Sequence, residues 1–177
     1  MTMAGNRELD MKKLKAVIHY IVHKCGSAEN VGKTVLYKIL YFSDFDFFEK
    51  YEKSITGEAY AKLPFGPAPR DFNISVMQLK KEFKIKEIEA VYGGQKQIKY
   101  ISLQEPENSP LTADEIKIID KTIQKISGMT ASQSSSYSHG DMPWKSAKDG
   151  DNLDYEMVFY RNNTYSVSDN SEVQTAS

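Results

Sequence analysis

Two long segments near the start of the chain carry apolar side chains at helical spacing. From Leu9 to Lys24 these side chains recur at i, i+3, i+4, i+7 and i+8 counted from Leu14, which predicts a helix with one buried face. From about Val31 to Lys53 they surround the helix axis instead of forming a stripe. Because a helix that is apolar on most sides is buried on most sides, the second segment is predicted to be the central helix.

The pattern becomes short and irregular after the central helix. Residues 58–63 favour a short strand, and the sequence LPFGPAP that ends at Pro69 predicts a stiff turn, since proline fixes φ at about −65°. Helical spacing resumes from Arg70 to Phe83. Alternation over residues 85–103, interrupted by Gly93-Gly94, then predicts a β-hairpin.

Capping signals organise the last third of the chain. Thr112 and Glu115 form a T-x-x-E capping box ahead of a helix that ends at Gly128, and Thr130 is suited to cap a short helix after it. A last short helix is predicted over residues 153–160.

Together these elements predict a mainly α fold with a small antiparallel β-sheet. This α+β fold is expected to be a single compact domain built around a central apolar helix and a β-hairpin. The predicted boundaries are a flexible N-terminus over residues 1–8, a folded domain over residues 9–161, and a polar, disordered tail over residues 162–177.

Composition narrows the classes of function. A length of 177 residues suits one domain, and a formal net charge of −1 argues against a uniformly basic nucleic-acid binder. The single cysteine, Cys25, excludes an intramolecular disulfide and a four-cysteine zinc site. The sequence lacks a secretory signal and any apolar run near the roughly 20 residues that cross a bilayer, so a cytoplasmic protein is expected. The charge is uneven, with +5 over residues 1–100 and −6 over residues 101–177.

Few residues have spacings typical of metal or catalytic sites. His19 and His23 lie at i, i+4, but the sequence HYIVH lacks the glutamate of a zinc-protease motif. Asp44 and Asp46 lie at i, i+2 and do not share a helix face, and a buried Asp44 is expected to need a hydrogen-bond partner. No metal and no cofactor are predicted.

His139, Asp141 and Trp144 form the most suggestive local set. Gly140 and Pro143 are expected to prevent a regular helix there, so the three side chains would converge on a loop. Histidine and aspartate suit acid–base chemistry, and tryptophan offers a large apolar plate with an N–H donor. The alternative is structural: Trp144 packs in the core and His139 caps a helix end.

Two segments resemble the Panacea domain of the SocA-like antitoxin and phage-associated family, namely LYKILYFSDFDFFEKYEKSITGEAYAKLPFGPAPRDF and YSHGDMPW. The resemblance covers roughly Leu9 to Arg161. The residues that match the family pattern are Lys38, Leu40, Tyr41, Phe42, Ile55, Thr56, Gly57, Glu58, Tyr60, Gly66, Pro67, Pro69, Ser138, His139 and Trp144.

The resemblance implies a bacterial or phage-encoded antitoxin that binds and neutralises a cognate protein toxin without catalysis. Contact residues are expected on the irregular Pro/Gly segments, where binding groups are usually displayed. The candidates are Tyr60, Phe65, Arg70, His139, Asp141 and Trp144. Two alternatives stay open: a proteolytic adaptor that delivers a toxin to an AAA+ protease, and an enzyme that uses His139, Asp141 and Trp144.

Overall fold

The computed structural model describes residues 8–107 and 109–168. These residues form a mainly helical fold with two small antiparallel sheets of two strands each. The predicted α+β class is confirmed, with two separate sheets where the sequence indicated one. Residues 1–7 of the predicted N-terminal segment and residues 169–177 of the predicted tail lie outside the described residues.

Both predicted N-terminal helices form, and the second lies at the centre of the fold as predicted. Helix α1, Met11–Cys25, begins where the Asp10 carboxylate accepts a hydrogen bond from the Lys13 amide at 3.0 Å. Helix α2 spans Lys33–Tyr51, and every residue from Lys38 to Phe48 is buried. Helix α2 is therefore the axis of the core, around which the other elements pack.

A buried carboxylate on α2 holds the segment that follows this helix in place through hydrogen bonds. Asp44 accepts hydrogen bonds from the Ile55 amide and from both the amide and the hydroxyl of Thr56. The Tyr60 hydroxyl donates another, at 2.6 Å. Burial raises the pKa of Asp44, and these hydrogen bonds oppose the rise because they favour the charged form. The expectation that a buried Asp44 needs a partner is confirmed.

The proline-rich segment is a strand as well as a turn, which corrects the sequence prediction. Strand β1, Tyr60–Leu63, pairs antiparallel with strand β2, Gly66–Pro69, through a tip formed by Pro64 and Phe65. Gly66 leaves the tip with a φ of 114°, which only glycine adopts readily. Strand β2 lies at a sheet edge, where the missing amide donors of proline are tolerated. Residues 150–153 hydrogen-bond along the other side of β1.

The second hairpin forms as predicted. Helix α3, Phe72–Lys81, leads into strands β3, Ile85–Tyr92, and β4, Gln95–Ser102, which pair antiparallel along their full length. Gly93 and Gly94 have φ values of 59° and 79°. Two positive φ values are what a two-residue type I′ turn requires, which explains the Gly-Gly pair.

Capping boxes start the next two helices. The predicted box of Thr112 and Glu115 begins helix α4, Ala113–Ile126. Thr130 begins helix α5, Ala131–His139, and its partner in a second capping box is Gln133.

A short helix also forms where the sequence predicted none. Helix α6, Met142–Ser146, is capped by the Asp141 carboxylate. Pro143 lies in the first turn, where the amide that proline lacks would have no helical partner, so it does not prevent the helix. The last predicted helix is a 3-10 helix, Tyr155–Tyr160.

A buried cluster of charges anchors the C-terminal segment. The Arg161 side chain is 0% exposed and forms a bidentate ion pair with Asp141, with distances of 2.8 and 2.7 Å. It also reaches Asp46 at 2.8 Å and Glu49 at 2.9 Å, both on α2. Glu49 in turn accepts hydrogen bonds from residues 166–168. The chain therefore stays packed on the core through residue 168, beyond the predicted domain boundary at residue 161.

Candidate functional site

A groove opens between the turns of the two hairpins. Its walls come from the β1–β2 tip, the β3–β4 turn, the first turn of α2 and one side of α5, and it encloses about 980 Å³. The residues that line it include Thr34, Phe65, Tyr92, Lys96, Ser135 and His139. A concave site of this size accommodates a small ligand or several side chains of a partner.

The β1–β2 tip places apolar surface in solvent beside the groove. Phe65 is 75% exposed and Leu63 is 45% exposed. Pro64 within the two-residue turn and Pro67 after it hold both side chains on a stiff backbone. Adjoining exposed apolar side chains of this kind are typical of contact sites.

Trp144 on α6 makes two contacts with the same hairpin and one with α5. Its indole Nε1 donates a hydrogen bond to the Leu63 carbonyl at 3.3 Å. The Lys62 ammonium lies 4.1 Å from the ring centroid, and the His139 ring stacks on the indole at 4.2 Å. Trp144 and His139 are both partly buried, so each combines packing with some accessible surface. Leu63, Phe65, His139 and Trp144 together are called the tip cluster below.

A buried lysine lies behind the groove. Lys38 on α2 is 1% exposed, and its ammonium has no hydrogen-bond or ion-pair partner among the described residues. Burial lowers the pKa of Lys38 to about 8, because it disfavours the charged form. The sequence carries a signal for this site, since Lys38 is the one cation between residues 34 and 49, in the most apolar part of the chain.

Gly66 makes room for Lys38. A Cβ at this position would lie 2.5 Å from the Ser138 hydroxyl and 2.6 Å from Lys38 Cε, at a φ of 114°. We therefore expect Gly66→Ala to lower the free energy of unfolding by about 2 kcal/mol, measured by chemical denaturation. Gly94→Ala is the control, because Gly94 has a φ of 79° with nothing within 4 Å, and it should cost less. Equal losses would contradict a tight contact at Gly66.

Two of the predicted contact residues belong to the core, which corrects the sequence analysis. Tyr60 is 0% exposed and donates its hydroxyl hydrogen to Asp44. Asp141 is 0% exposed, and its carboxylate is occupied by Arg161 and Tyr41. Neither side chain offers surface to a partner in this fold, because each points inward to satisfy a buried polar network.

The His139–Asp141 pair of the enzyme hypothesis does not form. None of the hydrogen bonds accepted by Asp141 comes from His139. His139 lines the groove, but its Nε2 atom is buried and has no hydrogen-bond partner among the described residues. A catalytic base needs a positioned partner within hydrogen-bond distance, and this pair does not provide one.

Arg70 lies away from the tip cluster. It follows β2 at the end of the hairpin opposite to Phe65. The four residues of β2 lie between the two, which puts them roughly 16 Å apart along the strand. Its guanidinium donates to the Gly150 carbonyl at 2.9 Å and to the Asn152 side chain. Arg70 is exposed, and these contacts hold residues 150–152 beside β1.

Neither a metal-binding cluster nor a membrane-spanning helix is found among the described residues. Within residues 8–107 and 109–168, no group of three or more His, Cys, Asp or Glu side chains comes together to hold a metal ion. His19 Nε2 and His23 Nδ1 instead lie 3.1 and 3.2 Å from the Ser102 hydroxyl. In the same ranges, no helix combines the length and the apolar character that a bilayer crossing needs.

A family model matches nearly all of the elements that build this site. No curated protein and no solved structure matches the chain. The model described as "Antitoxin SocA-like, Panacea domain" matches residues 36–145. That range runs from α2 through both hairpins to α6 and contains Lys38 and the whole tip cluster. Because the match covers more than half of the sequence, the chain belongs to the SocA-like antitoxin family, with a Panacea domain.

Proposed function

We propose that this chain is an antitoxin that neutralises a protein toxin by binding it directly, without catalysis or a cofactor, in the bacterial cytoplasm. The observation that carries the proposal is the exposed tip cluster beside the groove. Phe65 is 75% exposed there, on a segment that lies inside the family match. The family supplies the class of function, and the tip cluster supplies a surface on which a toxin can dock.

Phe65 is suited to be the anchor of this contact. Aromatic side chains provide much of the binding energy at protein interfaces, and they do so most strongly when they fill a pocket on the partner. The tip around Phe65 is a two-residue turn with prolines nearby, so little conformational entropy is lost when it is fixed by a partner. Trp144 and His139 extend the same surface toward the groove.

Co-expression with a candidate toxin encoded by a neighbouring gene tests the proposal. We expect growth to be restored and a complex of fixed stoichiometry to co-purify. Growth arrest that persists, together with the lack of a co-purifying complex, would exclude neutralisation by direct binding.

Phe65→Ala is expected to weaken the complex about 30-fold, or about 2 kcal/mol, without changing the stability of the free chain. Isothermal titration calorimetry measures the affinity. Phe83→Ala is the matched control, because Phe83 is 76% exposed but follows α3, outside the groove. Similar affinities for the two variants would contradict an anchoring role for Phe65.

The half-life of the toxin separates blocking from delivery to an AAA+ protease. Delivery could use the predicted polar tail from residue 162 as a tether. In the structure, however, residues 166–168 hydrogen-bond to Glu49 and Tyr165 donates to the Tyr137 carbonyl. We therefore favour blocking, which leaves the half-life of the toxin unchanged or longer. A half-life that shortens when the antitoxin is co-expressed, and recovers in cells without the protease, would favour delivery.

A further inference from the structure

The groove carries positive charge and has no aspartate or glutamate among the described residues that line it. Lys96 lies in this lining. Lys33 borders the groove, but its ammonium donates a hydrogen bond to the Asn73 side chain at 3.0 Å, outside the lining. The first turn of α2 forms part of the same wall, and the positive end of that helix dipole adds to the potential. The groove is therefore complementary to an anionic group.

Lys38 adds positive charge behind the groove, next to residues that line it but not in the lining itself. A long side chain on a helix leans toward the N-terminus of that helix, and Thr34, one turn before Lys38, lines the groove. The far end of Lys38 approaches Gly66, the residue that directly follows the hairpin tip. Ser138 on α5 contacts the other side of this position and directly precedes the groove-lining His139.

Two polar groups in this region lack the partner that burial requires. The Lys38 residue is 1% exposed and the His139 Nε2 atom is buried, and neither side chain has a hydrogen-bond partner among the described residues. A buried donor without an acceptor is costly, and the cost is larger for a charged donor. One carboxylate could accept from the ammonium with one oxygen and from an imidazole N–H with the other.

We infer that the groove binds an acidic segment of the protein partner, and that one carboxylate of this segment pairs with Lys38. This inference rests on the proposed function, because the segment is taken to belong to the toxin. The flexible stem of Lys38 lets its ammonium move toward an anion that enters the groove. Lys96, in the groove lining, faces a second acid of the segment.

A protein segment fits this site better than a nucleic acid does. Binding to a phosphate backbone draws on many exposed cations along a track, and the chain as a whole has a formal net charge of −1. The site offers instead a small number of cations around one concave opening, and the deepest of them, Lys38, is 1% exposed. A single side-chain carboxylate is small enough to approach it.

Titration of the labelled full chain with short peptides, followed by NMR, tests the inference. The probes are the capped peptide GELEG, its neutral counterpart GQLQG and a short oligothymidylate. We expect GELEG to shift the amide signals of groove residues and GQLQG to bind at least about tenfold more weakly. Lys38→Met and Lys96→Gln should each weaken GELEG binding. Lys86→Gln should not, because Lys86 is an exposed lysine on β3 outside the groove.

Three results would overturn the inference. These are equal affinities for GELEG and GQLQG, tighter binding of the oligothymidylate than of GELEG, and unchanged GELEG affinity of Lys38→Met. If Lys38→Met does not fold, unchanged affinity of Lys96→Gln overturns the inference instead. The probes contain no toxin, so failure here alongside rescued growth leaves the proposed function intact. GELEG binding without rescue supports an acid-binding groove and rejects the toxin as the source of the segment.

Discussion

Replacing Arg161 with methionine is expected to lower the free energy of unfolding by about 4 kcal/mol. The substitution leaves Asp141, Asp46 and Glu49 without the buried cation that each of them contacts at 2.7–2.9 Å. Methionine fills much of the volume but donates no hydrogen bond, so the buried carboxylates lose both charge balance and donors. The loss reaches α6, which Asp141 caps, and residues 166–168, which bind Glu49.

Equilibrium denaturation measures this loss. Arg70→Met is the matched control, since the Arg70 guanidinium is exposed and contacts only residues 150 and 152 in the described structure. We expect the control to cost less than about 1 kcal/mol. Comparable losses in the two variants would contradict the role of Arg161 as the central cation of the cluster.

Replacing Lys38 with methionine is expected to have the opposite effect and to stabilise the free chain by about 3 kcal/mol at neutral pH. Burial lowers the pKa of Lys38 from 10.5 to about 8. At pH 7 both the folded and the unfolded chain therefore hold the proton, and the folded state bears the full cost of a buried charge. Methionine has a similar length and no charge, so it removes that cost.

The pH dependence of stability separates this cause from improved packing. Between pH 8 and 10.5 the folded chain releases the Lys38 proton before the unfolded chain does, so the wild type gains stability that Lys38→Met does not. The advantage of the variant should therefore shrink across this window. Thermal unfolding at pH 7 and at about pH 9.5 measures it, with Lys86→Met as the control for an exposed lysine. An advantage that stays constant would contradict the buried-charge explanation.

Arg161 and Lys38 illustrate two treatments of a buried cation. Arg161 contacts three carboxylates and serves the stability of the fold. Lys38 contacts none of the described acids, so its burial lowers the stability of the fold. Proteins retain destabilising groups of this kind at binding sites, where function requires them. The same Lys38→Met substitution is thus expected to stabilise the free chain and to weaken its binding to an acidic segment.

The parts of the fold that depend on local signals could be predicted from the sequence. Gly93-Gly94 specifies a tight turn, and the Thr112–Glu115 capping box specifies the start of α4. The apolar run around α2 specifies its burial on most sides. In each case the residues that decide the structure lie within a few positions of one another, so short-range chemistry is sufficient.

The parts that depend on distant partners could not be predicted. Arg161 and Asp46 are 115 positions apart in the chain, and nothing next to either residue indicates the pair. Acidic residues inside apolar segments do signal that some cation must be near, but not which one. Strand β2 was predicted as a turn because its prolines argue against a strand, and only its pairing with β1 makes it one.

The candidate site was predictable only in part. Phe65 and Tyr60 lie on the same short hairpin, yet Phe65 is 75% exposed and Tyr60 is 0% exposed. The difference depends on which side of the hairpin faces α2, and a four-residue strand does not encode that in its sequence. The groove itself is formed by four separate segments, so it exists only after they pack.

Hydrogen–deuterium exchange of the chain with and without its toxin tests the central claim most directly, namely that the toxin docks on the groove and the tip cluster. We predict that exchange slows in the toxin complex over residues 63–66 at the β1–β2 tip, 92–97 at the β3–β4 turn and 131–136 on α5. Residues 155–160 of the 3-10 helix should exchange as in the free chain. Slowed exchange confined to residues 155–160 or another distant surface, with the tip and groove unchanged, would contradict it.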